Sequence, residues 1–247
     1  MDNISVSVII PVYNCERYIG KAIESVLAQK VDLECIIVDD NSTDKTSSIV
    51  KSYMDDARIK YVKNETNKGV AYNRNLGVKM ARGKYVAFLD ADDYWTEDKL
   101  SVQLSFMEEN GAVLTSTGRE LMDEDGNLSG KCINIPEKIT YKRLLTGNVI
   151  NTSASMVLTE VARKYPMVND RLHEDYIMWL SILKDGNVAY GINEPMLKYR
   201  MVKGSKSNNK FKSARMTYGV YRYIGLSPVK AFYYFCCYAV KGVLKYI

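Results

Sequence analysis

An α/β fold is what this sequence predicts: a mostly parallel central sheet flanked by helices, with a helical extension at the C-terminus. Three features predict it. Strand and helix signals alternate through the first 110 residues. The strand segments are apolar on both faces, as strands covered by helices on either side must be. Polar residues stand just after each of them, at Tyr13-Asn14, Asp39-Asp40, Asn64 to Asn67 and Asp90 to Asp93. That is where sheets of this kind place their ligand crevice.

Each element has its own signal. Ile4–Val12 is a nearly continuous β-branched run and gives the first strand. Glu16–Gln29 sets Ile19, Ala22, Ile23, Val26 and Leu27 at helical spacing. Leu33–Val38 is a second buried strand, and Asn41 to Asp44 supply turn and cap chemistry for a helix to about Met54. Arg58–Val62 is the third strand, Gly69–Ala81 a helix stopped by Gly83, and Lys84–Leu89 the fourth strand. Thr96–Glu109 follows as a helix with Thr96 as its cap. Beyond residue 110 the order weakens. Ala112–Thr117 and Ser153–Leu158 read as strands, Asp125-Gly126 as a hairpin turn, Glu174–Lys184 as a helix, and Val202–Asn209 as a polar, mobile loop. Pro228–Ile247 closes the chain as a helix, with Ser227 as its cap and Pro228 in its first turn.

Composition bounds the function classes. The 247 residues are 47% apolar and 26% charged, the mixture of a globular core, which excludes a disordered chain, a collagen and a disulfide-stapled mini-protein. No apolar run reaches the ~18 residues needed to span a bilayer. The N-terminus has no basic region and reads as a strand, not a signal peptide. The cysteines number five, an odd count with no CxxC pair, so they read as packing residues in a reducing compartment. The net charge of +5 is unevenly spread: eleven Lys/Arg and no acid lie from Lys198 onward, leaving −6 on the remainder. A basic tail on an acidic body points to an anionic partner, and its eight tyrosines suit a nucleic acid or a membrane interface.

Three acidic groups carry the chemistry. Asp90, Asp92 and Asp93 crowd the end of an apolar strand and repel one another. A hard cation such as Mg²⁺ or Mn²⁺, completed by diphosphate oxygens, relieves that repulsion; the other reading is a cap for the next helix. Asp39-Asp40 accept a hydrogen bond from a base N–H or a ribose hydroxyl, or else form an Asx turn. His173-Glu174-Asp175 stand before a helix, where carboxylates are favoured by its dipole whatever else they do. There is no GxGxxG after the first strand and no GxxxxGK[ST], and a single histidine makes neither a zinc cluster nor a triad.

VSVIIPVYN, IIVDDNSTDKT, NKGVAYNRNLG, GKYVAFLDADD and HEDYIMWL, in that order and at those spacings, resemble the inverting nucleotide-sugar glycosyltransferases of family 2. The match covers roughly residues 4–200. Within the family the chain is most similar to small bacterial enzymes that build surface polysaccharide of O-antigen, capsule or teichuronic-acid type. The resemblance implies the GT-A fold with its Rossmann-like sheet, a nucleotide-binding half at residues 1–110, an acceptor half at 111–200 and a basic aromatic tail at 201–247. It implies that Pro11, Tyr13, Asp39 and Asp40 surround a uracil, that Asn67 and Arg74 lie near the nucleotide, and that Asp90 approaches the ribose. Asp92 matches the acid that holds Mn²⁺ or Mg²⁺ on the diphosphate, and Asp175 matches the general base. Arg200 and the segment 203–207 resemble a flexible stretch that closes over the diphosphate.

The implied reaction moves a sugar, with inversion, from a UDP-sugar to a glycan on a polyprenyl diphosphate. It places the enzyme in the cytoplasm, peripheral on the inner face of the cell membrane, with no nucleic acid partner. In the tail, Phe232, Phe235, Cys236, Ala239 and Val243 fall near one helix face flanked by lysines, which suits residues 228–247 to an anionic membrane surface, or to packing on the core or a partner chain. The cations from Lys198 to Arg222 then face the acceptor's phosphates. Two alternatives stand beside this reading. A nucleotidyltransferase normally has a Gly-rich phosphate loop where this chain has Tyr13-Asn14-Cys15-Glu16. A non-catalytic membrane-binding module has no need of an intact Asp90, Asp92 and Asp175.

Overall fold

The computed structural model describes residues 4–168, 170–202 and 210–244; the expected closing segment 203–207 lies outside them. Four strands form where the apolar runs place them. β1 (Val6–Val12), β2 (Leu33–Asp39), β3 (Ile59–Lys63) and β4 (Tyr85–Phe88) pair in parallel in the order β3-β2-β1-β4. Helices α1 (Ile19–Leu27), α2 (Thr46–Lys51) and α3 (Val70–Met80) return the chain between them. Alternate residues of the strands feed two cores. Val8, Ile10 and Ile37 pack under α1, while Ile9, Ile36 and Phe88 face α3. α3 lies so close to β1 that a Cβ on Gly77 would come within 2.5 Å of Ile9, so this turn of the helix requires glycine.

The second half of the sheet is mixed. β5 (Tyr94–Trp95), α4 (Lys99–Asn110), β6 (Leu114–Met122), β7 (Leu128–Ile133), β8 (Lys138–Ile139) and α5 (Tyr141–Leu145) come first. A 3₁₀ turn at Thr152–Ala154 follows, then β9 (Ser155–Leu158), α6 (Thr159–Lys164), α7 (Glu174–Lys184) and β10 (Ala189–Arg200). β9 lies antiparallel between β4 and β6, β10 runs parallel to β6, and β5 closes the edge on β10. One continuous sheet therefore joins the two halves. β6 and β7 form the expected hairpin, with Gly126 at φ 91 and the Asp123 carboxylate accepting the N–H groups of Asp125 and Asn127.

Two helices differ from expectation, one at its end and one at its start. α2 opens at Thr46, whose N–H is taken by the Asp44 carboxylate, and ends at Lys51, short of Met54. α4 opens at Lys99, not at Thr96. The Thr96 hydroxyl is buried with no partner among the described residues, while its carbonyl accepts from the Gln29 side chain.

α8 (Lys210–Tyr223) and α9 (Pro228–Leu244) pack on the core through Val220, Tyr221 and Ala231, all fully buried. Phe235 stands edge-on to Tyr218 at 6.1 Å, so it points inward and does not share a face with Phe232. The open face of α9 is instead Val229, Phe232, Tyr233, Cys236 and Val240, at one-turn spacing. Among the described residues no helix is long and apolar enough to cross a membrane.

Candidate active site

Two hollows open at the carboxyl ends of the strands. The first, about 380 Å³, is lined by Pro11 and Tyr13 after β1, Asp40 after β2, Asn67 on the next loop, Asn73 of α3, and Asp170. Asp40 is buried yet lines it. One carboxylate oxygen accepts the Asn64 amide at 2.9 Å and the Lys68 N–H at 2.7 Å, and the other accepts the Gly69 N–H at 2.8 Å. Gly69 precedes α3 at φ 87, a left-handed conformation that turns its N–H onto Asp40. Tyr13, half exposed, and Pro11 give the hollow a flat wall of the kind on which a planar base stacks. Asp170 accepts the Ala71 N–H at 2.9 Å, which satisfies a donor in the first turn of α3.

Asp39 does not reach this hollow. It is fully buried, accepting Ser42 N–H at 2.7 Å on one oxygen and the Ser47 and Tyr61 hydroxyls at 2.7 and 2.6 Å on the other. Burial resists its charge, and these donors more than offset burial, holding the carboxyl below its ordinary range. Successive side chains at a strand end point to opposite sides, so only one of the adjacent acids faces the hollow.

The second hollow, about 370 Å³, is acidic. Asp90, Asp92, Glu174 and Asp175 line it together with Arg74, Arg119, Thr152 and Arg200. α3 separates the two hollows, with Asn73 facing the first and Arg74 the second. Asp92 and Asp175, 83 positions apart, thus share one space, and Asp40 lies next door.

Arg74 organises the acids. It is buried and donates to Asp90 at 2.5 Å and to Glu174 at 3.0 Å. Burial works against its charge, but the two carboxylates outweigh that and hold the guanidinium firmly protonated. Glu174 is thereby paired, which leaves Asp175 as the member of the pair that lines the hollow without an ion-pair partner among the described residues. Thr152 donates to Asp175 at 3.0 Å and fixes its orientation. The next residue, Ser153, accepts the Asp90 N–H at 3.1 Å on its hydroxyl, and its carbonyl accepts the Trp95 indole N–H at 2.7 Å. The 3₁₀ turn at Thr152–Ala154 therefore braces both the acidic loop and Asp175.

Asp92 has the chemistry of a cation ligand. Burial, and then the neighbouring Asp90, push its carboxyl up to about 6, although Arg200 and Arg74 pull the other way. Asp93, fully buried, is raised further by burial and then by Asp92 and Asp90, and it accepts the Arg200 N–H at 2.8 Å. Among the described residues no three acids or histidines form a ready-made metal cluster. One or two carboxylates completed by phosphate oxygens suit Mg²⁺ or Mn²⁺, and Asp92, with Asp90 beside it, supplies that.

Arg200 is a brace. Its Nε donates to the Asp92 carbonyl at 2.8 Å, and one terminal nitrogen donates to the Asp123 and Glu124 carbonyls at 3.2 and 2.8 Å. Its guanidinium also lies 4.3 Å from the centre of the Tyr18 ring. Lys198 is paired with Glu120 at 2.7 Å and Arg222 donates to the Leu226 carbonyl, so neither faces a phosphate site as expected. The sequence reading missed Thr152, Asp170 and Arg119. A cap signal marks the first two types of residue in general, but nothing local marks their distant targets.

Comparison with known proteins agrees with this geometry. The family model for glycosyl transferase family 2 matches residues 7–163. The chain is 44% identical over 243 residues to TuaG of Bacillus subtilis, named as a teichuronic acid biosynthesis glycosyltransferase, covering 97% of this chain and 96% of the relative. It is 37% identical to WfgD of Escherichia coli, a UDP-Glc:α-D-GlcNAc-diphosphoundecaprenol β-1,3-glucosyltransferase, covering all of this chain and 96% of that one. A solved structure of Staphylococcus aureus TarS 1–349 with UDP-GlcNAc superposes with a TM-score of 0.74 at 20% identity, over 92% of this chain and 69% of that one, and shares the GT-A fold. The order of the strands, the acidic hollow at their carboxyl ends and these matches lead to one conclusion: the chain belongs to glycosyl transferase family 2.

Proposed function

We propose that this glycosyltransferase moves a sugar from a UDP-sugar, with inversion, onto a glycan carried by a lipid diphosphate in the synthesis of a bacterial surface polysaccharide. The observation that carries the reading is the hollow shared by Asp92 and Asp175, with Glu174 taken up by Arg74. Uridine fits the neighbouring hollow, where Asp40 keeps acceptor capacity for a base N–H, Tyr13 and Pro11 form its wall and Asn67 its rim. Asp90 approaches the ribose, and Arg74 and Arg200 position the acids without needing to touch the donor.

Asp92, with Asp90 beside it, would hold Mn²⁺ or Mg²⁺. Such a cation offsets the charge that builds on a departing diphosphate. Asp175, oriented by Thr152, removes the proton of the acceptor hydroxyl as that oxygen attacks the anomeric carbon and UDP leaves. A single base opposite the leaving group gives inversion. The names of the relatives support the donor and the lipid-diphosphate acceptor.

The exposed face of α9 supports work at a membrane surface from the cytoplasmic side. Val229, Phe232, Tyr233 and Val240 are apolar or aromatic, with Lys230 and Lys241 also exposed on the helix. The deciding experiment is a panel of UDP-sugars tested for UDP release with and without acceptor. Release that depends on a divalent cation, and that Asp175→Asn abolishes while UDP still binds, supports the assignment. Turnover near wild type in that variant removes Asp175 from the role.

A further inference from the structure

A cavity of about 800 Å³ lies beside the acidic hollow, between the β6–β7 hairpin, α5 and α9. Arg119, Asn148 and Tyr238 line both, so the two spaces adjoin. Four cations from four elements line the cavity: Arg119 of β6, Lys131 of β7, Arg143 of α5 and Lys241 of α9. Among the described residues that line it there is no Asp or Glu.

Two of these cations converge on one atom. Lys241 Nζ donates to Thr146 Oγ1 at 2.6 Å, and an Arg143 terminal nitrogen reaches the same oxygen at 3.4 Å. Partial burial, and then Arg143, lower the proton affinity of the Lys241 ammonium. Like charges held on one hydroxyl repel each other, and a multiply charged anion seated between them relieves the repulsion. The rest of the lining includes Ile133, Ile135 and Val149, so cations and apolar side chains share the cavity wall. Its boundary helix, α9, carries the exposed apolar stripe on its opposite side.

We propose that this cavity is the cradle for the diphosphate of the acceptor, with the apolar chain leaving along α9 and the sugar passing Arg119 and Asn148 to reach Asp175. The proposal rests on the lipid-linked acceptor inferred above and locates its anionic group. Guanidinium forks and ammonium groups from several elements suit a diphosphate, and the apolar lining residues suit the first units of a hydrocarbon chain. These cations replace the Lys198–Arg222 stretch, whose described end residues are engaged elsewhere.

The test uses the full chain with the donor site filled by UDP and Mn²⁺ and with farnesyl diphosphate as the probe, followed by calorimetry. Arg143→Ala and Lys241→Ala are each expected to weaken probe binding about tenfold, and the double variant about a hundredfold. Lys241→Arg retains most of the affinity. Lys131→Ala, an exposed change, gives a second reading of the same loss. UDP affinity of each variant, measured alongside, stays within about twofold and shows that the variants are folded. Farnesol gains nothing from the four cations. Unchanged farnesyl diphosphate affinity in the double variant overturns the proposal. So does inorganic pyrophosphate binding as tightly as the farnesyl compound, which marks a site for free anions. A wild-type chain that binds farnesyl diphosphate but not UDP leaves the cradle standing and overturns the donor assignment instead.

Discussion

The hollow around Asp40 takes every lining residue but Asp170 from positions 11 to 73, whereas the hollow around Asp92 gathers side chains from Arg74 to Tyr238. The first is a product of one sheet half: three strands, their loops and the start of α3. The second exists only once the chain has closed on itself, with Arg74 and Glu174 joined across 100 positions. On the proposed assignment, donor recognition rests on short-range structure and chemistry on long-range structure. Changes in the second half should remove turnover before they remove UDP binding.

Asp175→Asn gives the widest separation. Turnover should fall by about 10²–10⁴-fold while UDP affinity holds. A parallel fall in UDP affinity, measured by calorimetry, would erase the distinction between the hollows. Arg74→Ala should come next, because it leaves Glu174 buried without its cation. A loss of about 3–5 kcal/mol in chemical denaturation is expected. A stable, active variant would show that the closure is held elsewhere.

Asp92 offers a pH test. Its carboxyl is raised from 3.8 to about 6, so the folded chain holds a proton that the unfolded chain releases in that window. Without a cation, stability should fall as pH rises from 3.8 to about 6, and Asp92→Asn should flatten that slope. Cation-dependent UDP binding should weaken as pH drops below about 6, since the ligand must be ionised. A pH-independent cation requirement would break this link.

Thr152→Val should cost about tenfold in kcat with little change in donor KM, because it removes one hydrogen bond that aims the base. The smallest effect on stability belongs to the tail. Phe232→Ser with Tyr233→Ser should shift stability by under about 0.5 kcal/mol, yet reduce flotation with anionic vesicles. Undiminished flotation would remove the stripe from membrane contact.

The same contrast explains what could be read without coordinates. β1, β2 and β4 were legible because strands buried on both faces leave unbroken apolar runs, and the acids after β2 and β4 followed from sheet geometry. β5 and β8 are two residues long and leave no pattern. β10 hides because its register breaks between Ile192 and Leu197, around Glu194-Pro195. Alternation says that Asp39 and Asp40 diverge, yet not which one lines the hollow; Tyr61, from the neighbouring strand, claims Asp39. The cradle cations Arg119, Lys131 and Arg143 read singly as surface charges, since only folding brings three elements to one cavity.

Arg200 carries a consequence for sequence drift. Its guanidinium is anchored on the main-chain carbonyls of Asp92, Asp123 and Glu124. Every amino acid has a carbonyl, so the strut between the hairpin and the acidic loop does not itself depend on the side chains at 123 and 124. The strut itself has no such latitude: a lysine ammonium, a single point donor, cannot span two loops and lie flat on Tyr18 at once.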